Sequence, residues 1–87
     1  MAASDALVVL YSRSTCPLCD DARATVERVC RDVGATWTEI LIDDSPSLIA
    51  AFGEYVPVVE VGGVQQGFWH IDSQRLRRAV ERSQPGG

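Results

Sequence analysis

A chain of 87 residues with a formal charge of −4, a pI near 4.7 and 46% hydrophobic residues has room for one modest core. The acidic balance, with arginine supplying every cation, argues against nucleic acid as a partner, and the apolar runs fall far short of a membrane span. Three cysteines, an odd number with two of them clustered, do not form the spread disulfide framework of a small secreted protein.

The length suits a single domain, 1–87, with an ordered core over about 6–82. A chain of this size buries somewhat more than ~60% of its unfolded surface, so it forms a core without structural disulfides. No basic start precedes a long apolar stretch, so no signal peptide is expected and a reducing cytoplasm is the expected compartment.

Residues 1–5 read as a lead-in. The apolar, β-branched run 6–11 reads as a buried strand. The segment 20–33 reads as an amphipathic helix. Its residues Ala22, Val26, Val29, Cys30 and Val33 fall on one face of a 3.6 period, and Gly34 stands where a helix ends. A second strand spans 36–42. Ser45 then caps a short helix that has Pro46 in its first position, Leu48, Ile49 and Phe52 on an apolar side, and Gly53 at its close. A third strand spans 56–61, Gly62-Gly63 is a two-residue hairpin signal, and a fourth strand spans 64–68. Asp72 or Ser73 caps a last helix with Leu76, Ala79 and Val80 turned inward, and 83–87 read as a frayed tail. The order is β-α-β-α-β-β-α. Its first two strands, joined by a helix, are expected to be parallel, and the third and fourth to form an antiparallel hairpin. This is the minimal order of a thioredoxin-like fold, an α/β architecture.

The chemistry gathers at Cys16-Pro17-Leu18-Cys19, between the first strand and the first helix. Pro17 suits the first helical position, which makes Cys16 the N-cap, its sulfur facing the free N–H groups of Leu18 and Cys19. A helix N-terminus is where a thiolate is most readily stabilised. Residues at i and i+3 share a helix face with Cβ atoms ~5–6 Å apart, a modest adjustment from disulfide reach. Cys16 is therefore the expected attacking thiolate and Cys19 its resolving partner. Cys30, on the apolar stripe, reads as a buried inert thiol. Arg13 steers acidic substrates, balances Cys16 or is simply solvated. His70 reads as an incidental surface histidine. Phe68 and Trp69 form an apolar lip or half-buried packing, Trp37 reads as packing, and Asp43 and Asp44 read as helix-start residues.

The stretch Tyr11-Ser12-Arg13-Ser14-Thr15-Cys16-Pro17-Leu18-Cys19 resembles the glutaredoxin stretch Tyr-Ser-Lys-x-x-Cys-Pro-Tyr-Cys, with Arg13 for lysine and Leu18 for tyrosine. Val56-Pro57 resembles that family's Val-Pro, whose peptide bond is cis, and Gly62-Gly63 its glycine turn. Cys16, Leu18, Cys19, Asp20 and Ala22 also fit the Cys-x-Leu-Cys-Asp-x-Ala of short, largely uncharacterised bacterial glutaredoxin-like proteins. The resemblance covers roughly 6–82. It implies a glutaredoxin-type β-α-β-α-β-β-α fold with a four-stranded mixed sheet and helices on both faces. It implies a thiol–disulfide oxidoreductase with Cys16 and Cys19 catalytic and Arg13, Pro17, Leu18, Val56 and Pro57 supporting. No cofactor and no metal are implied, and a monomer is expected. The partner implied is a disulfide-containing protein or a low-molecular-weight thiol.

Two departures bear on the substrate. Asp20 and Asp21 follow the second cysteine, where glutaredoxins carry neutral or basic residues. Gly67-Phe68-Trp69-His70 replaces the Gly-Gly-Cys-Asp that ends the glutathione site, so the acidic residue for the γ-glutamyl amine is missing. Gly67-Phe68 is similar to the glutaredoxin-like electron donors of ribonucleotide reductase, which draw electrons from thioredoxin reductase. Glutathione, another small thiol and thioredoxin reductase thus all stand as electron sources. The alternatives are a metal-binding module, with Cys16, Cys19, Cys30 and His70 as imagined zinc ligands, and a redox-sensing module without turnover. An iron–sulfur cluster shared between subunits is disfavoured, by family analogy, by Pro17.

Overall fold

A computed structural model describes residues 6–83; the expected lead-in at 1–5 and the tail at 84–87 lie outside the described residues. The elements run β1 (Val8–Ser12), α1 (Pro17–Val33), β2 (Trp37–Leu41), α2 (Pro46–Phe52), β3 (Val58–Val61), β4 (Val64–Phe68) and α3 (Ser73–Ser83), in the order read from the sequence. β1 covers 8–12 where 6–11 was expected, α1 begins at Pro17 ahead of the expected 20, and β3 starts at Val58, two residues later than expected. Pro57 has no N–H to give a ladder, so the strand begins after it. Ser83, expected in the tail, closes α3.

The four-stranded sheet has the order β2-β1-β3-β4. β1 and β2 are parallel, and β3 runs antiparallel to both β1 and β4. Gly62 and Gly63, at φ of 58° and 85°, make the β3–β4 turn, since a two-residue hairpin of this hand needs positive φ at both positions. The β3–β4 register shifts between Val59 and Glu60, which leaves Gln66 unpaired as a bulge.

Alternation along β1 sorts the core. Val8, Leu10 and Ser12 turn to one face and Val9 and Tyr11 to the other. On the first face, Val59 and Val61 join Val8 and Leu10. α1 closes over them with Ala22, Val26, Val29 and Cys30, and α3 with Leu76, Ala79 and Val80. Burying a side chain such as Leu10 contributes ~1.5–3 kcal/mol. The opposite face is covered thinly. Of its residues α2 buries none, and its Phe52 stacks on Tyr11 at 4.6 Å between ring centroids. The apolar side expected for α2 thus stays partly in solvent, with Ile49 38% exposed, because a helix of seven residues spans too little of the sheet.

Gly53 closes α2 as expected, but not in the left-handed conformation that usually explains a terminal glycine: its φ is −55°. The reason is space. A Cβ at this position would lie 2.5 Å from the Ile49 carbonyl oxygen. Gly53→Ala is therefore expected to destabilise the protein by about 1–3 kcal/mol, read as a lower urea midpoint at unchanged slope.

Candidate active site

The site forms where β1 hands over to α1. Cys16 is the N-cap in extended conformation, Pro17 opens the helix, and the Cys16 Sγ accepts a hydrogen bond from the Cys19 backbone N–H at 3.2 Å. Both cysteines are free thiols. They differ in access: Cys16 is half-buried at the surface, whereas Cys19, one turn inward, is wholly buried. Burial pushes the Cys19 thiol well above the ordinary range. Its hydrogen bond to Cys16 adds to this, while a backbone hydrogen bond at Arg13 and the charge of Arg23 act in the opposite direction. Cys19 therefore rests as a protonated thiol next to Cys16. Cys30 lies in the core as expected, and burial pushes its thiol up to about 11.

The loop that presents Cys16 is held against its own backbone preference. Thr15 sits at φ 56°, a left-handed conformation that costs a β-branched residue roughly 1–2 kcal/mol. Asp43 holds the loop there. Its Oδ2 accepts from the Ser14 N–H at 3.2 Å and from the Ser14 hydroxyl, and its Oδ1 faces Arg13 Nε at 3.9 Å. The Ser14 hydrogen bonds, side chain first, and then Arg13 hold the Asp43 carboxyl below the usual carboxylate range. Asp43 is thus a tie between β2 and the cysteine loop and not the helix-start residue read from the sequence. The parallel register explains the meeting: Ser12 pairs with Leu41, so Ser14 and Asp43, two residues on in each strand, leave the sheet side by side.

Beneath the loop lies a polar cluster whose members Glu39 and Ser12 the sequence reading passed over. Arg23 of α1 donates from Nε and Nη2 to the two carboxylate oxygens of Glu39 on β2, at 2.7 and 2.6 Å, and from Nη1 to Asp20 at 2.9 Å. Glu39 also accepts from the hydroxyl of Ser12, which is completely buried. The Arg23 guanidinium, and secondarily the Ser12 hydroxyl, hold the Glu39 carboxyl below its ordinary range against the opposing effect of burial. One signal was available: Glu39 is the single charged residue of β2, although its partner Arg23 is one charge among many on α1.

A cleft of about 480 Å³ opens in front of Cys16. It brings together Arg13, Pro17, Leu18 and Val56 of the expected supporting set, with Asp43 on its wall. Pro57, the remaining member, is buried and does not line the cleft; the Val56–Pro57 peptide bond is cis. Arg13 is engaged by Asp43 and by the Gly53 carbonyl, 3.4 Å from Nη1. His70 is exposed. The imagined zinc set is not assembled: among the described residues no three His, Cys, Asp or Glu side chains converge. Nor is any helix among them long and apolar enough to cross a membrane.

Residues 7–81 match the family described as Glutaredoxin-like domain (DUF836). The chain is 30% identical over 81 residues to an uncharacterised protein of Mycobacterium tuberculosis, covering 87% of this chain and 84% of that one. Among solved structures it is similar to the structural-genomics target protein XcR50 from X. campestris, with a TM-score of 0.72 and 28% identity over 88% of this chain and 99% of that one. It is also similar to the holo form of glutaredoxin C1 from Populus tremula x tremuloides, with a TM-score of 0.50 and 26% identity over 92% of this chain and 79% of that one.

Proposed function

Because the chain belongs to the glutaredoxin-like domain (DUF836) family and has a thioredoxin-like fold, we propose that it is a thiol–disulfide oxidoreductase working through Cys16 and Cys19. The observation that carries this reading is the inequality of the two thiols: one reaches the cleft at the helix terminus, while the other is buried behind it with its proton retained.

Cys16, as thiolate, attacks one sulfur of a substrate disulfide. That S–S bond breaks, a mixed disulfide to Cys16 forms, and the departing thiolate takes up a proton. Once Cys16 is bonded it no longer carries the negative charge that helps to hold the proton on Cys19. Cys19 then loses its proton and attacks the Cys16 sulfur. The second substrate thiol leaves protonated, and the dithiol, having given up two electrons, becomes the Cys16–Cys19 disulfide. The substrate class is a protein or small-molecule disulfide. Glutathione, another small thiol or thioredoxin reductase returns the electrons, and a reducing cytoplasm is the compartment in which this cycle turns over as a monomer.

Iodoacetamide at neutral pH tests the assignment. The reduced protein is expected to be alkylated at Cys16 alone, and a stoichiometric disulfide oxidant is expected to protect that position by closing the Cys16–Cys19 bond. Alkylation of Cys19 or Cys30 at a rate equal to that of Cys16, or no protection on oxidation, rejects it. Offering the oxidised protein to each reductant separately, with free thiols counted, then identifies the electron source.

A further inference from the structure

Of two tryptophans, two tyrosines and two phenylalanines in the chain, three gather in one exposed cluster. Phe68 lies edge-on to Tyr55 at 5.6 Å and to Trp69 at 5.1 Å, and Tyr55 and Trp69 stack at 6.5 Å. Each leaves 41–49% of its surface in solvent. Trp69 is fixed there at a cost in backbone energy: it is a bulky residue at φ 63°, with its N–H on the Pro57 carbonyl at 2.9 Å and its indole N–H on the Glu54 carbonyl at 3.0 Å. The cluster is continuous with the cysteine site. Trp69 and Leu18 share a small hollow of about 100 Å³, and Leu18 is also a wall of the cleft at Cys16.

Carboxylates prevail along this path, although Arg13 lines the cleft and His70 lines the hollow beside Asp21. Asp21, in the hollow, and Glu54, whose backbone carbonyl accepts from the Trp69 indole and which precedes Tyr55 in the chain, are exposed and enter no ion pair among the described residues. The nearby guanidiniums are committed, Arg13 to Asp43 and Arg23 to Glu39 and Asp20. Both arginines near the cleft already face a carboxylate, which lessens what either offers to the carboxylates of a small acidic thiol. An apolar platform rimmed by free carboxylates fits a segment that is apolar and basic.

We propose that the disulfide substrate is an extended polypeptide whose apolar or aromatic side chain, next to a basic residue and the reactive cystine, seats on Tyr55, Phe68 and Trp69 beside Asp21 and Glu54. This rests on the oxidoreductase reading and names the substrate class for the same site.

The test compares four disulfides by second-order rate constant at low salt: bis(2-hydroxyethyl) disulfide, oxidised glutathione, and two short peptides whose cysteine carries a 2-mercaptoethanol mixed disulfide. One peptide flanks that cysteine with a tryptophan and two arginines, the other with a tryptophan and two glutamates. The arginine peptide is expected to react about tenfold faster than the glutamate peptide and oxidised glutathione, with the gap closing at high salt. The double substitution Tyr55→Ser, Phe68→Thr is expected to slow the arginine peptide about tenfold while changing bis(2-hydroxyethyl) disulfide less than twofold. Should the double variant not fold, Asp21→Asn is expected to narrow the arginine–glutamate gap on its own. Binding of the arginine peptide with serine in place of cysteine, followed by tryptophan fluorescence, checks docking without any sulfur chemistry. Turnover of bis(2-hydroxyethyl) disulfide with no peptide preference overturns the docking surface and leaves the oxidoreductase standing. No turnover of any disulfide overturns both.

Discussion

Cys16→Ser is expected to abolish disulfide reduction, lowering the rate by at least ~10³-fold, because a serine hydroxyl is not ionised near neutral pH and cannot displace a thiolate from sulfur. The fold is expected to survive. Serine is a good N-cap and can accept from the Cys19 N–H as the sulfur does, so the far-UV circular dichroism stays that of the native protein. Cys19→Ser separates the two steps. Cys16 still attacks, but nothing resolves the mixed disulfide, and intact mass is expected to show the adduct at Cys16. Cys30→Ala provides the control: it trims the core, lowers stability and leaves the rate constant of the dithiol in place. Equal loss of activity in the Cys16 and Cys30 variants would mean that the reaction tracks stability and not the thiol at the cleft.

Glu39→Val carries the second large effect, this time on stability. The variant strips the Arg23 guanidinium of a two-point partner and leaves the buried Ser12 hydroxyl without its acceptor. An unsatisfied buried hydroxyl costs about 1–3 kcal/mol, and a loss of roughly 2–4 kcal/mol in total is expected by urea denaturation at pH 7. Glu39→Gln, which keeps shape and one acceptor oxygen, is expected to lose less. The pH dependence separates charge from packing. The folded carboxyl of Glu39 sits below its ordinary value of ~4.3, so its ionised form stabilises the fold above that pH, and this contribution is lost as pH falls through the depressed value. The difference between the protein and Glu39→Gln is therefore full at neutral pH and shrinks below about pH 4. A difference that stays constant down to pH 3 would assign the effect to packing alone.

Much of this molecule was legible along the chain because its signals are local. Val8 to Tyr11 read as a strand from their own apolar, β-branched run, Pro17 and Pro46 mark helix starts through their missing N–H, and Gly62-Gly63 makes a turn through the φ values only glycine adopts easily. The dithiol was legible for the same reason, since an N-cap cysteine and another three residues on meet within one helical turn. What the chain order did not disclose are meetings between residues far apart in it. Asp43 read as part of a helix start, because its partner Ser14 comes beside it only through the parallel pairing of β1 and β2. Glu39 read as one polar residue in a strand until Arg23 and Ser12 closed on it.

Sequence alone thus determined the element order, the caps of the first two helices and the nearness of Cys16 to Cys19, because each rests on backbone geometry within a few residues. Tertiary structure decided which thiol faces the cleft and which is sealed behind it, what holds the Thr15 loop in its left-handed turn, and where the aromatic cluster meets Leu18. Those follow from burial and from charge pairing across the sheet, quantities that exist only once distant segments exclude water between them.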